Sequence, residues 1–175
     1  MKIVIISDLH GNYDALSSLR ETGDELWVLG DLVNYGPQPQ EVVEYMRRHA
    51  NLVMRGNHDN AVGFQADPRC TPRYREMALT TMQYSSARLD SSDKEYLRRL
   101  PLTVTVQCDG RNFFLCHAVP SEAGAILSKH FSQTKLAIHD RLHACESKDD
   151  LACRNISRAL RALIRQPEHS RGDAA

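Results

Sequence analysis

Three short apolar runs in this chain each break off at residues able to bind a metal or move a proton, and few folds accommodate that pattern. Lys2–Ser7 (KIVIIS) runs into Asp8 and His10. Glu25–Leu29 (ELWVL) runs into Gly30 and Asp31. Asn51–Met54 is followed by Arg55 and Gly56, then Asn57, His58 and Asp59. Runs so short and apolar read as strands buried on both faces. Helical patterns separate them. Asn12 is placed to cap a helix through Ala15, Leu16 and Leu19 toward Arg20, and a second helix buries Val42, Val43 and Met46. The βαβαβ rhythm predicts a parallel sheet with covering helices. In such sheets ligands bind beyond the carboxyl ends of the strands, where these polar residues fall.

The chain then changes character. Pro72–Leu89 predicts a longer helix with Met77, Met82 and Leu89 inward, and Ser92 and Glu95 stand at capping-box spacing before a short helix through Leu97 and Leu100. Leu102–Gln107 and Asn112–Cys116 flank Asp109-Gly110, a hairpin signal, and the second strand delivers His117. After Leu127 strand-formers are almost gone: Phe131 is the one aromatic and no valine occurs. Leu151–Arg165 instead predicts an amphipathic helix with Arg154, Arg158, Arg161 and Arg165 on its polar face. The expected organisation is a core over residues 1–127 and a mostly helical tail over 128–175.

Bulk properties narrow the function classes. With 175 residues, 42% hydrophobic, 25% charged and zero net charge, the sequence reads as one soluble globular domain. Neutral charge argues against a nucleic-acid or anionic-membrane partner, and no apolar run is long enough to span a bilayer. The five cysteines are odd in number and form no C-x-x-C, so a reducing, cytoplasmic setting is expected.

Taken singly, each polar strand-end residue is a common turn or cap. Four strand ends that each supply a carboxylate, imidazole or amide are harder to dismiss. Asp8 and His10, two apart in an extended segment, point the same way. Asp31 offers a carboxylate able to bridge two cations, Asn57 an amide oxygen and His117 a ring nitrogen. Mixed O/N donors suit Mn, Fe or Zn better than Ca or Mg.

The segments SDLHGN (Ser7–Asn12), LGDLVNYGP (Leu29–Pro37), RGNHD (Arg55–Asp59) and LCH (Leu115–His117) together resemble the calcineurin-like metallophosphoesterases, in particular their small bacterial and archaeal phosphodiesterase and phosphatase group. The resemblance covers about Lys2–Ser121. It implies an α/β fold, the α/β/β/α sandwich, with an incomplete second sheet in this chain. It also implies two divalent metal ions (Mn, Fe, Zn or Ni) and a phosphate-ester substrate, a monoester or a diester. The nucleophile would be a metal-bridging hydroxide attacking in line. By motif, Asp8 and His10 resemble ligands of one metal, Asp31 the bridge, and Asn57 and His117 ligands of the second; His58 resembles the proton donor.

The sequence departs from that pattern in two places. Asn34 stands where related protein phosphatases carry the acid that orients the histidine, and Tyr35 where they carry a phosphate-binding arginine. The late G-H-x-H motif is missing. His139 and His143 are poor substitutes, and with Cys145 and Cys153 they match no common zinc-finger spacing. Each metal is thus expected to lose about one protein ligand. Reduced activity follows, with a non-catalytic binding or scaffold module as the alternative.

Overall fold

The computed structural model describes residues 1–108 and 110–117, together with the backbone of a strand at Lys135–Ile138. Strands β1 (Ile3–Ile6), β2 (Glu25–Val28) and β3 (Leu52–Val53) form a parallel sheet in that order. Helix α1 (Tyr13–Ser17) links the first pair and α2 (Pro39–His49) the second. Helices α3 (Asn57–Phe64), α4 (Arg75–Arg88, entered through a 3₁₀ turn at Pro72–Tyr74) and α5 (Ser91–Arg99) follow. A second, antiparallel sheet holds β4 (Thr103–Cys108), β5 (Arg111–Cys116) and β6 (Lys135–Ile138) in that order.

The period-two alternation of β2 sorts the core into two. Val28 joins Leu16, Val42, Val43, Met46, Val62 and Leu97 beneath the helices. Trp27 and Leu29 turn the other way, onto Met54, Leu115 and Cys116 between the two sheets. The Trp27 and Phe113 rings meet edge to face across that gap, with centroids 5.6 Å apart. The layers therefore run helices, parallel sheet, antiparallel sheet, and the described residues hold these three layers of the expected sandwich. Among them, no helix is long and apolar enough to cross a membrane.

Several expectations needed revision. Asn57–Phe64 is a helix, where the sequence reading saw only a polar strand end. Of the residues expected inward, Leu89 is buried and Met82 packs against the core, whereas Met77 is 49% exposed; Ala78 and Ser85 are buried beside them. These two small residues let α4 pack close to α2 and α3. The capping box of α5 is formed by Asp90 and Asp93, two residues earlier than Ser92 and Glu95 would place it. Leu19 lies past the end of α1 and is exposed.

The β4–β5 hairpin is present, with Cys108 opposite Arg111 and Gly110 at φ +72°; Asp109 lies outside the described residues. The strand at Lys135–Ile138 contradicts the expectation that strands end before Leu127. Main-chain pairing with β5, Lys135 opposite Cys116 and Ile138 opposite Phe113, overrides weak strand propensity. His139, His143, Cys145, Cys153 and the amphipathic segment Leu151–Arg165 lie outside the described residues.

Leu115 is fully buried between the sheets and Met77 is half exposed. Leu115→Ala should lower stability by about 2–5 kcal/mol, whereas Met77→Ala should change it by less than about 0.5 kcal/mol. Urea unfolding followed through the single tryptophan, Trp27, measures both.

Candidate metal centre

The loops leaving the parallel strands are stitched to one another through their main chains. The loop after β1 pairs with the loop after β2: Asp8 N–H donates to Gly30 O at 3.0 Å, His10 N–H to Asp31 O at 2.9 Å and Gly11 N–H to Leu32 O at 2.7 Å. The loops after β2 and β3 meet through Asp59, in the first turn of α3. Its buried carboxylate accepts N–H groups from Asp31 (2.8 Å), Leu32 (2.8 Å) and Gly56 (2.9 Å). Asp31 Oδ1 in turn accepts the N–H of His58 at 2.9 Å. The two passages are so close that a Cβ on Gly56 would lie 2.1 Å from Asp31 Oδ1, and one on Gly30 would lie 2.6 Å from Gly56 N.

This stitching holds Asp8, His10 and Asp31 in left-handed conformations, at φ +56°, +49° and +57°. An L-residue there costs roughly 1–2 kcal/mol. The expectation that Asp8 and His10 converge because they share an extended segment is therefore corrected. They converge because the loop curls at each of them.

All six residues singled out from the sequence come together. Asp8, His10 and Asp31 each offer a ligand atom within 4.8 Å of the others. Asp31 Oδ2 lies 3.8 Å from His10 Nε2 and 3.1 Å from His117 Nε2. Asn57 Oδ1 lies 3.2 Å from His117 Nε2. The Asn57 amide is oriented by its own donor, since Nδ2 donates to Pro68 O at 2.6 Å and leaves Oδ1 toward His117.

The chemistry of this donor set tests whether it fits a metal. A main-chain carbonyl only accepts, so His117 Nδ1–H donates to Leu29 O at 2.7 Å and His10 Nδ1–H to Val33 O at 3.2 Å. With no proton on Nε2, either ring presents a lone pair there, facing carboxylate or amide oxygens. Lone pairs directed at oxygens repel unless a positive charge lies between them. Burial alone would lower the His117 pKa, but Asp31 outweighs it and raises it to about 10. Burial would raise Asp31, yet His117, His58 and His10 hold its carboxyl well below the usual range. Imidazoles fixed through Nδ1–H to carbonyls are the usual support of histidine metal ligands. The residues fit divalent cations.

His58 is buried at the N-terminus of α3, and burial depresses its pKa to about 4. Asn34 Nδ2 donates to His58 Nδ1 at 2.9 Å, which places the proton of the neutral ring on Nε2. Asn34 thus occupies the orienting position that the resemblance assigned to an acid. Its own N–H is held by Ser85 Oγ at 3.2 Å. Sequence reasoning missed the roles of Asp59 and Ser85. For Asp59 a signal existed: an acid three residues after Gly56 is the pattern of a helix N-terminus.

The sequence profile of the calcineurin-like phosphoesterases matches residues 1–159. The chain belongs to the calcineurin-like phosphoesterase family. The match extends past the motif-bearing stretch that ends near Ser121. An uncharacterized protein of Methanocaldococcus jannaschii is 29% identical over 123 residues, covering 67% of this chain and 49% of that protein. The symmetrical bis(5'-nucleosyl)-tetraphosphatase of Erwinia tasmaniensis is 40% identical over 67 residues, covering 34% of this chain and 24% of the relative. The chain thus spans about half the length of the first relative and about a quarter of the second. The solved structure of a hypothetical protein from Pyrococcus horikoshii shares the fold, with a TM-score of 0.53 at 21% identity over 68% of this chain and 55% of the other. A calcineurin-like phosphoesterase is a metal-dependent hydrolase of phosphoric ester bonds.

In this chain, Asp59→Asn keeps the shape of the side chain but turns an N–H₂ toward backbone N–H donors. Stability of the metal-free protein should fall by about 1–3 kcal/mol. Urea unfolding with chelator present measures this, and an unchanged midpoint would remove Asp59 from its assigned place.

Proposed function

We propose that this chain hydrolyses phosphomonoesters or phosphodiesters at a two-metal centre held by Asp8, His10, Asp31, Asn57 and His117, with His58 as general acid. One observation carries this reading: Asp31 Oδ2 stands between His10 Nε2 and His117 Nε2, both rings having committed Nδ1–H to main-chain carbonyls. A single carboxylate oxygen between two lone pairs is the donor geometry of a bridging ligand. Asp8 and His10 then complete one side and Asn57 and His117 the other.

Bound there, a pair of divalent cations supplies an acidified water and offsets the charge that builds on the phosphate oxygens. The protein's own part is positional and protic. Asp31, fixed by the Asp59 network, sets the spacing of the two sides. His58 is the group placed to give a proton to the leaving oxygen, and Asn34, donating to its Nδ1, keeps Nε2 as the proton-bearing atom that faces the centre. A second reading is a metal-binding module with little or no turnover, since no G-H-x-H follows His117 within these 175 residues.

His58→Ala should cut manganese-stimulated turnover of an aryl phosphate by about 10²–10⁴-fold while leaving bound manganese unchanged. Asp31→Asn should lower both. Elemental analysis alongside initial rates on aryl phosphates, phosphodiesters and a bis(5'-nucleosyl) tetraphosphate reads the outcome. Wild-type turnover that survives both changes would refute the assignment. Metal bound without turnover would select the binding module.

A further inference from the structure

One side chain at the centre is left unused by that reaction scheme. Tyr35 follows Asn34 in the loop after β2, and both are left-handed, at φ +72° for Asn34 and φ +60° for Tyr35. A glycine would make the same turn without the steric cost that a side chain bears there. Asn34 has a visible return in its bond to His58. Tyr35 has no comparable backbone or core role, for it is only partly buried and lies outside both core clusters.

What Tyr35 does contact is the centre itself. Its ring centroid lies 4.8 Å from that of His10, at 74°, and 4.8 Å from that of His58, at 57°. Burial is the main influence on its hydroxyl, which hydrogen-bonds with Cys70 in the segment that precedes α4; Asp31 and then Tyr74 act on it as well. The ring itself packs against the His10 and His58 rings. The Tyr74 ring is 38% exposed and carries the Arg73 guanidinium at 5.4 Å from its centroid. Tyr74 lies near enough to Tyr35 to act on its hydroxyl.

From this arrangement we propose that Tyr35 is a specificity residue: its ring forms the leaving-group wall of the centre and selects phosphate esters whose leaving group is a flat aromatic. The proposal rests on the phosphoesterase reading of the site. An aromatic plane attached through the ester oxygen would lie along Tyr35 in offset or edge-on contact, with Tyr74 and Arg73 extending the surface for a larger ring system. An aliphatic leaving group gains no such contact. Because the contact exists with bound substrate as well as in the transition state, it acts chiefly on KM rather than on kcat.

The test compares wild type, Tyr35→Phe and Tyr35→Ala in the full chain with added manganese. Phenylphosphonate and methylphosphonate binding is measured by calorimetry, and kcat and KM for phenyl phosphate and glycerol phosphate by phosphate release. Wild type should prefer phenylphosphonate over methylphosphonate by about three- to tenfold. Tyr35→Ala should abolish that preference and lower the phenyl-to-glycerol ratio of kcat/KM by a similar factor through KM; Tyr35→Phe should retain both. Equal loss toward both members of each pair, or ratios unchanged in Tyr35→Ala, would overturn the specificity role while leaving the phosphoesterase reading intact. A wild type that binds neither phosphonate and releases no phosphate would overturn both. Circular dichroism identifies a variant that fails to fold, and Tyr35→Phe then decides: loss of the phenyl preference in Tyr35→Phe assigns the effect to the hydroxyl and overturns the proposal.

Discussion

The carboxylate of Asp59 is the interaction on which the rest of the site depends. It draws in the N–H groups of Asp31 and Leu32 from one strand end and of Gly56 from the next. Each of these donors would otherwise be a buried group without a partner, which costs about as much as a lost hydrogen bond. One acid therefore satisfies two loops and fixes their separation. Asp31 and Asn57, the residues those loops carry, inherit that separation. Asp59 is itself under strain, since burial and the nearby Asp31 charge push its pKa up to about 6. Hydrogen bonds from Gly56 and Leu32 work against that rise.

The same economy links the site to the core. Trp27 and Leu29 face the second sheet and Val28 faces the helices, so β2 is clamped on both sides immediately before Gly30 and Asp31. On the other side of the sheet interface, Leu115 and Cys116 are buried directly before His117. The His117 ring then donates to Leu29 O, which closes the path from the second sheet back to the first. Packing between the sheets and ligand placement are thus one problem. A shift of β5 relative to β2 would move a ring nitrogen away from Asp31.

How much of this the sequence revealed follows from what each feature depends on. Asp8, His10, Asp31, Asn57, His58 and His117 were legible because each follows a run of strand-forming residues, and period two is a local signal. The helix at Asn57–Phe64 was not, because its residues are polar where they line the site and its helicity is imposed by Asp59 and by packing on α4 and α5. At α4, Met82 and Leu89 face the core as their apolar character implies, while Met77 does not, because the close approach of the helix there is made by Ala78 and Ser85. The strand at Lys135–Ile138 has no propensity signature and exists through its pairing with β5. Asp59 was visible as a residue but not as a structural link, since its partners are backbone groups of a loop distant in sequence.

The electrostatics of this arrangement suit a cation. Asp8, Asp31 and Asn57 bring oxygens, and His10 and His117 bring lone pairs, into a pocket from which water is largely excluded around Asp31 and His117. Left to themselves the groups answer by holding a proton, and the rise of His117 to about 10 expresses that demand. A proton satisfies one pair of atoms at a time, whereas a divalent cation satisfies several at once and adds no bulk between the rings. The left-handed backbone at Asp8, His10 and Asp31 costs the same with or without a cation, so it is a cost of folding the site and not of leaving it empty. A cation bound there would take the place of that proton, and its affinity would draw on the stability of the two cores that hold the groups together.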